Sequence, residues 1–424
     1  MNPNRHILDG PQADSYARRR TFILIGSVAM LFISGGGMFM IVVALKEIAM
    51  EFGWPRAVPS FAFSMQFIGS GIGGIVMGYA LDRYGFGFPA LVGAIMVGIG
   101  GILVSQIDSA WQLYTIYGFM FGLSGQGSLA APAMANIARW YEDRRGMAIG
   151  ITASGQSLAG IIWPPIFGYV MGAFGWREMY FMFGIFALCT MLPLWFVVRH
   201  KPPDVPPKTA GQPATAKCLA AGDKGGVAQH LSSGEIQSSL CCAIVGCCIA
   251  MSLPLGHIVA LVTDLGHPVM NAVEVLSVTL IAAFVSRAYF LGFLSDRFGG
   301  LRTMAMFSII QAATLAALTM VQELWALYAV AALFGFGYGG LFPIYAIAVR
   351  DHLPITETGR RTGIIFMFGA VAMGFGSWMG GYLFDLTGSY TLPFLIGVGF
   401  NLLNLTIVAV LISRLGPFPS RRPS

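Results

Sequence analysis

Gly78-Tyr79-Ala80-Leu81-Asp82-Arg83-Tyr84-Gly85 recurs as Gly292-Phe293-Leu294-Ser295-Asp296-Arg297-Phe298-Gly299, an octapeptide repeated at an offset of 214 in a chain of 424 residues. Each copy places an acid and an arginine directly after a long apolar run and stops at a glycine. Phe121-Gly122 matches Phe334-Gly335, and Gly168-Tyr169 matches Gly381-Tyr382, both at an offset of 213. Three anchors at a spacing of 213–214 mark an internal duplication.

Outward from the anchors, the sequence reads as twelve apolar stretches: 21–45, 58–81, 88–107, 111–138, 146–173, 178–198, 238–263, 272–295, 302–321, 324–349, 362–385 and 391–413. Each is close to the ~20 residues a helix needs to cross a ~30 Å hydrocarbon core. Composition agrees, with 56% hydrophobic and 10% charged residues. A water-facing surface needs roughly a quarter of the chain charged, so a soluble enzyme, a disordered chain and a disulfide scaffold are excluded. Backbone groups in lipid must be satisfied within the chain, which leaves helices or closed barrels. The stretches are too long and too uniformly apolar for barrel strands. The expected fold is an all-α membrane protein with twelve transmembrane helices in two pseudo-symmetric six-helix bundles. Its divisions are an N-terminal tail (1–20), a first bundle (21–198), a proline-led linker (199–236), a second bundle (237–414) and a C-terminal tail (415–424).

Charge placement gives the orientation. With the N-terminus inside, 21 of the 25 Lys and Arg residues fall on the cytoplasmic side, and only Lys46, Arg56 and Arg177 fall outside. This is the positive-inside bias; one misplaced span would invert every later loop. Both termini, the linker and both octapeptide loops are therefore expected in the cytoplasm. The net charge of +6 describes topology and gives no reason to expect nucleic acid. A multi-pass protein of a plasma membrane, of the bacterial inner-membrane type, is expected, with no cleavable signal pattern before the first span. Cys241, Cys242, Cys247 and Cys248 share one apolar helix and read as small apolar residues. No cofactor loop, metal-ligand set or catalytic triad is legible, and an enzyme is not expected.

The paired G-x-x-x-D-R-[YF]-G loops, the two sets of six helices and the central linker resemble the major facilitator superfamily over essentially the whole chain. The resemblance implies two bundles that rock about a central site. It also implies a gating role for Asp82, Arg83, Asp296 and Arg297, which would lock the cytoplasmic end while the outer end is open. The first copy departs from the family, with Phe86-Gly87-Phe88 where basic residues are usual; the second keeps Arg302. A narrower similarity, to the monocarboxylate porters, lies in Arg139-Trp140-Tyr141-Glu142-Asp143-Arg144-Arg145-Gly146, in the following Ala153-Ser154-Gly155, in Phe174-Gly175-Trp176-Arg177 and in Leu45-Lys46-Glu47-Ile48. The oxalate/formate exchangers are looser relatives.

The one basic residue left inside a span is Arg287, at least about eight residues, or ~12 Å, from either end of the eighth stretch. A charge that deep costs ~2.5–3.5 kcal/mol or more, and arginine cannot escape by losing its proton. Its planar fork fits a carboxylate, and the resembling porters use an arginine of this helix to bind their substrate. Gln126, Tyr338 and Phe366 are expected beside it: the first two as hydrogen-bonding groups, the last against a short alkyl chain. Animal porters carry an Asp one turn before this arginine and a Lys in the first helix; here those positions are Ala283 and Phe39. A single buried cation suits a singly charged anion. Asp264 or His257, both on the seventh stretch, is expected to take a proton. Ser34-Gly35-Gly36-Gly37 is expected to interrupt the first helix, and Trp163-Pro164-Pro165 and Pro254 to kink the fifth and seventh, as hinges. The expected function is proton-coupled symport of a small monocarboxylate by a monomer in lipid. Carboxylate exchange, a non-transporting carboxylate receptor and export of apolar compounds are the alternatives.

Overall fold

The computed structural model describes residues 11–141, 145–200, 232–353 and 358–415. Most of the 199–236 linker, the 415–424 tail and the first ten residues lie outside the described residues, as does the side chain of Asp296. In the N-terminal half, α1 is Pro11–Phe52, α2 Ala57–Tyr84, α3 Gly87–Val104, α4 the run 110–140, α5 Arg145–Phe174 and α6 Trp176–Val198. In the C-terminal half, α7 is Ser233–Asp264, α8 the run 269–298, α9 Gly300–Ala317, α10 the run 324–352 with a turn at Gly340, α11 Thr358–Thr387 and α12 Thr391–Leu415. Eleven helices are continuous, long and apolar enough to cross a membrane. The remaining span, α4, is helical throughout, but its middle, Ile116–Gln126, is wound as π-helix.

The duplication is written into the backbone. Positive φ angles occur among the described residues only at glycines: Gly53, Gly85 and Gly175 in the first half, Gly266, Gly299 and Gly388 in the second. These pair at the same 213–214 spacing found in the sequence. Gly85 (φ 82°) and Gly299 (φ 83°) close the two octapeptides and end α2 and α8. A side chain is strained in that region, and glycine is not.

The halves meet along two pseudo-symmetric seams, α2 against α11 and α5 against α8. Helices α1 and α7 are the most enclosed and flank the axis. Large apolar side chains such as Ile75, Phe181 and Phe293 are exposed on the outside, as a lipid-facing surface requires.

At α1 the structure adds one detail and revises one expectation. Helix α1 starts at Pro11, within the stretch expected as a tail; proline at the first helical position costs no hydrogen bond. Nor do Gly35, Gly36 and Gly37 interrupt α1, which runs unbroken through them. A Cβ at these positions would press on Ala159 of α5, Phe183 of α6 and Phe121 of α4 respectively. The glycines are therefore contact surfaces for three neighbours. Pro164 and Pro165 lie inside α5, and Pro254 lies inside α7.

Candidate functional site

A cavity of about 280 Å³ lies between the halves near the middle of the spans. α1, α2, α4 and α5 wall it on one side, and α7, α8, α10 and α11 on the other. Its polar groups are Arg287 and Tyr338 from the C-terminal half and Gln126, Gln156 and Ser157 from the N-terminal half. The rest of the wall is apolar.

Arg287 occupies Ser286–Phe290, a π-helical turn inside α8. Such turns are rare and recur at functional sites. Its Nε donates to the Gly339 carbonyl oxygen of α10 at 3.0 Å. Gly339 lies so close to α8 that an added Cβ would collide with the Ala283 backbone, which holds that carbonyl against the arginine stem. Arg287 is exposed, and among the described residues no acid pairs with it. With Nε engaged, the two Nη groups form the end-on fork that a carboxylate accepts in bidentate fashion. Gln126 is the last residue of the other π segment, so each irregular segment delivers a polar group to the cavity. Tyr338 is buried in the wall with its ring 5.6 Å from Phe334. Phe366 stands one layer back, stacked at 4.4 Å on Phe342, which does line the cavity.

The other expected residues lie elsewhere. Asp264 ends α7 about 13 Å along the axis from the cavity residue Leu255. It is 2.9 Å from Lys46 Nζ and accepts both Nη groups of Arg56, at 2.5 and 2.8 Å. Arg56 precedes α2; its Nη1 also donates to the Tyr390 hydroxyl at 2.9 Å, and its guanidinium lies 3.9 Å from the Phe384 ring centre. Asp385, near the end of α11, accepts the backbone N–H groups of Arg56 and Ala57, each at 2.8 Å, an acid where a helix N-terminus favours one. Burial opposes the Arg56 charge, but Asp264 and Tyr390 outweigh it and raise its pKa above the ordinary value. Ser64 of α2 adds a hydrogen bond to the Gly374 carbonyl of α11. The halves are thus clamped at the Arg56 end.

His257 is fully buried outside the cavity wall. Its Nε2 lies 2.8 Å from the Ser377 carbonyl oxygen, an acceptor, so Nε2 carries the proton. Nδ1 then accepts from the Tyr390 hydroxyl at 3.2 Å, which ties His257 to the Arg56 cluster. At the opposite end Asp82 pairs with Arg139 of its own half at 2.5 Å. Arg83 lies over the Tyr84 ring at 5.4 Å and Arg297 over Phe298 at 5.5 Å, one more repeated contact.

Sequence reading missed Arg56, Asp385 and Tyr390. A signal was present: only three basic residues opposed the positive-inside bias, and each has an acid in the structure. Lys46 and Arg56 hold Asp264, and Arg177 holds Glu51. The duplication sharpens this, because Glu51 and Asp264 are repeat equivalents at 213, and so are Arg177 and Tyr390. Glu51 has an arginine in its own half. Asp264 has Tyr390 in that place and takes Arg56 from the other half.

The family model described as Major Facilitator Superfamily matches residues 27–288 and 238–424. Monocarboxylate transporter 13 of Rattus norvegicus is 26% identical over 377 residues, 86% of this chain and 81% of its own length. The oxalate:formate antiporter of Oxalobacter formigenes is 24% identical over 424 residues, 96% and 94% of the two chains. Among solved structures, an inward-facing, occupied bacterial homolog of the human lysosomal transporter Spinster matches with a TM-score of 0.70 at 13% identity, covering 92% of this chain and 96% of its own. A nucleoside transporter matches with a TM-score of 0.72 at 10% identity, covering 93% and 99%.

Proposed function

The chain belongs to the major facilitator superfamily, and on that premise we propose that it imports a small monocarboxylate together with a proton by alternating access. It is a multi-pass membrane transporter and not an enzyme. The observation that carries the substrate reading is Arg287, a guanidinium in the central cavity with its stem fixed by Gly339 and no acidic partner among the described residues. An anion that enters the cavity supplies the missing charge, and Tyr338 and Gln126 line the same cavity.

Asp264 is the proton site in this account, because its carboxylate is the anion that pairs with both Lys46 and Arg56 across the two halves. Protonating it weakens both ion pairs and so lowers the cost of opening the Arg56 end. His257 is hydrogen-bonded at both nitrogens and serves to hold Tyr390. The charge bias assigns the Arg56 end to the outside, so the structure corresponds to an inward-open or occluded stage. Asp82, Arg83, Asp296 and Arg297 act as the opposing lock when the Arg56 end is open.

The test is uptake of labelled short acids by proteoliposomes with and without an imposed pH gradient, acid outside. Symport predicts accumulation driven by the gradient and alkalinisation outside on adding substrate. The likeness to an oxalate:formate antiporter along 96% of the chain favours exchange as a second reading. It predicts uptake that depends on internal anion and is indifferent to the gradient. Binding without uptake would mark a receptor, and transport of apolar cations by Arg287→Ala would mark an exporter of apolar compounds.

A further inference from the structure

We infer that the substrate is an amphipathic monocarboxylate with an apolar tail, either a medium-chain alkanoate or an arylalkanoate, in preference to a short hydroxy or oxo acid. This deepens the carboxylate reading of Arg287 and rests on it.

The cavity is divided along its length. Depth can be counted along each helix from its end nearest Arg56, at ~1.5 Å per residue. Arg287, Gln126, Gln156 and Ser157 then lie ~24–27 Å in, and Phe63, Phe67, Leu255 and Leu280 only ~9–17 Å in. The charged and amide groups thus occupy one end, and the end beneath the Arg56 clamp is closed by aromatic and aliphatic side chains. Phe63 and Phe67 meet edge to face at 5.0 Å, and Phe63 reaches across to α7 beside Gly256. Met38, Met251 and Met373 complete the wall from α1, α7 and α11; methionine adapts its shape to an apolar guest. Along the helices, the backbone positions of the polar layer and of the apolar floor are about 10 Å apart.

A cavity of about 280 Å³ is far larger than the ~10–15 Å³ that one water needs. A two- or three-carbon acid clamped at Arg287 leaves most of that space, and the whole floor, in contact with water. A chain of about six carbons, or a phenyl ring on a two-carbon linker, is long enough to carry an apolar group from the polar layer towards the floor. Each methylene moved from water onto such a wall improves binding about fourfold, so the gain accumulates along the tail and stops when the floor is reached.

The experiment is competition against labelled 3-phenylpropanoate bound to the purified full-length protein, with Arg287→Ala as background. Competitors are acetate, butanoate, hexanoate, lactate and neutral hexanamide. The expected result is an inhibition constant that falls about fourfold per methylene from acetate to hexanoate, with lactate weak and hexanamide inert. Phe67→Ala, which deepens the floor, is expected to move the optimum from hexanoate towards octanoate. That ratio is read within a single protein sample and does not depend on its yield. Lactate or acetate competing as well as hexanoate, with Arg287→Ala still abolishing the signal, would overturn the tail and leave the clamp standing. Equal binding by wild type and Arg287→Ala, or competition by hexanamide, would overturn the clamp itself.

Discussion

Arg287 and Asp264 were both singled out from sequence, and the reasons they could be recognised differ. A guanidinium about 12 Å deep in an apolar run breaks a rule that holds for every neighbouring position, so one sequence reveals it. The α10 carbonyl that fixes its stem was not legible, because Gly339 is 52 residues away and a glycine carries no side-chain signal. Asp264 gave a weaker signal, a carboxylate at a helix end. What makes it informative is Arg56, 208 residues earlier in the other half, and no local pattern points there. Replacing Asp264 with Asn removes the charge that holds Lys46 and Arg56. Uptake driven by external acid is expected to fall at least tenfold while substrate counterflow is kept, measured in the same proteoliposomes. Gradient-driven uptake at the wild-type rate would remove Asp264 from the proton path. The sign follows from the geometry: two cations favour the ionised carboxylate in the clamped state, so acid favours its release.

At the scale of elements, the spans were legible and their irregularities were not. Hydropathy locates a helix but does not distinguish α from π winding, so α4 and α8 read as plain spans. The glycines of α1, expected to break it, instead admit Ala159, Phe183 and Phe121; composition alone does not separate a hinge from a close contact. The α8–α10 seam repeats the logic, with Gly335 against Thr279 and Gly339 against Ala283. Gly339→Val drives a branched side chain into the α8 backbone. It is expected to cost about 1–3 kcal/mol, as overpacking does, and to displace the Arg287 stem. A lowered Tm together with lost substrate binding is the expected pair of readouts. Normal binding at an unchanged Tm would show that the seam does not position the arginine.

For the whole molecule, the repeat was legible to the residue, since the glycine pairs of the backbone keep the spacing of the motifs. The departures from symmetry fall at the residues of the proposed mechanism. Glu51 and Arg177 close on each other within one half, whereas Asp264, the equivalent acid, reaches across the seam to Arg56. Arg287 has Gly73 as its counterpart at 214, so only one half carries the clamp. Arg56→Gln in a cysteine-free background is expected to raise labelling of Phe63→Cys by a membrane-impermeant thiol reagent added outside several-fold; unchanged labelling would mean that other contacts hold that end shut. Asp82 bonded within its own half agrees with a lock disengaged while the Arg56 end is closed. In the proposed mechanism all of this serves one event, the neutralisation of a stranded guanidinium by an incoming carboxylate. The most direct test is the initial rate of labelled monocarboxylate uptake by Arg287→Lys at matched membrane levels. A point charge cannot replace the planar fork, and the account predicts a loss of at least tenfold. Uptake at the wild-type rate would contradict it.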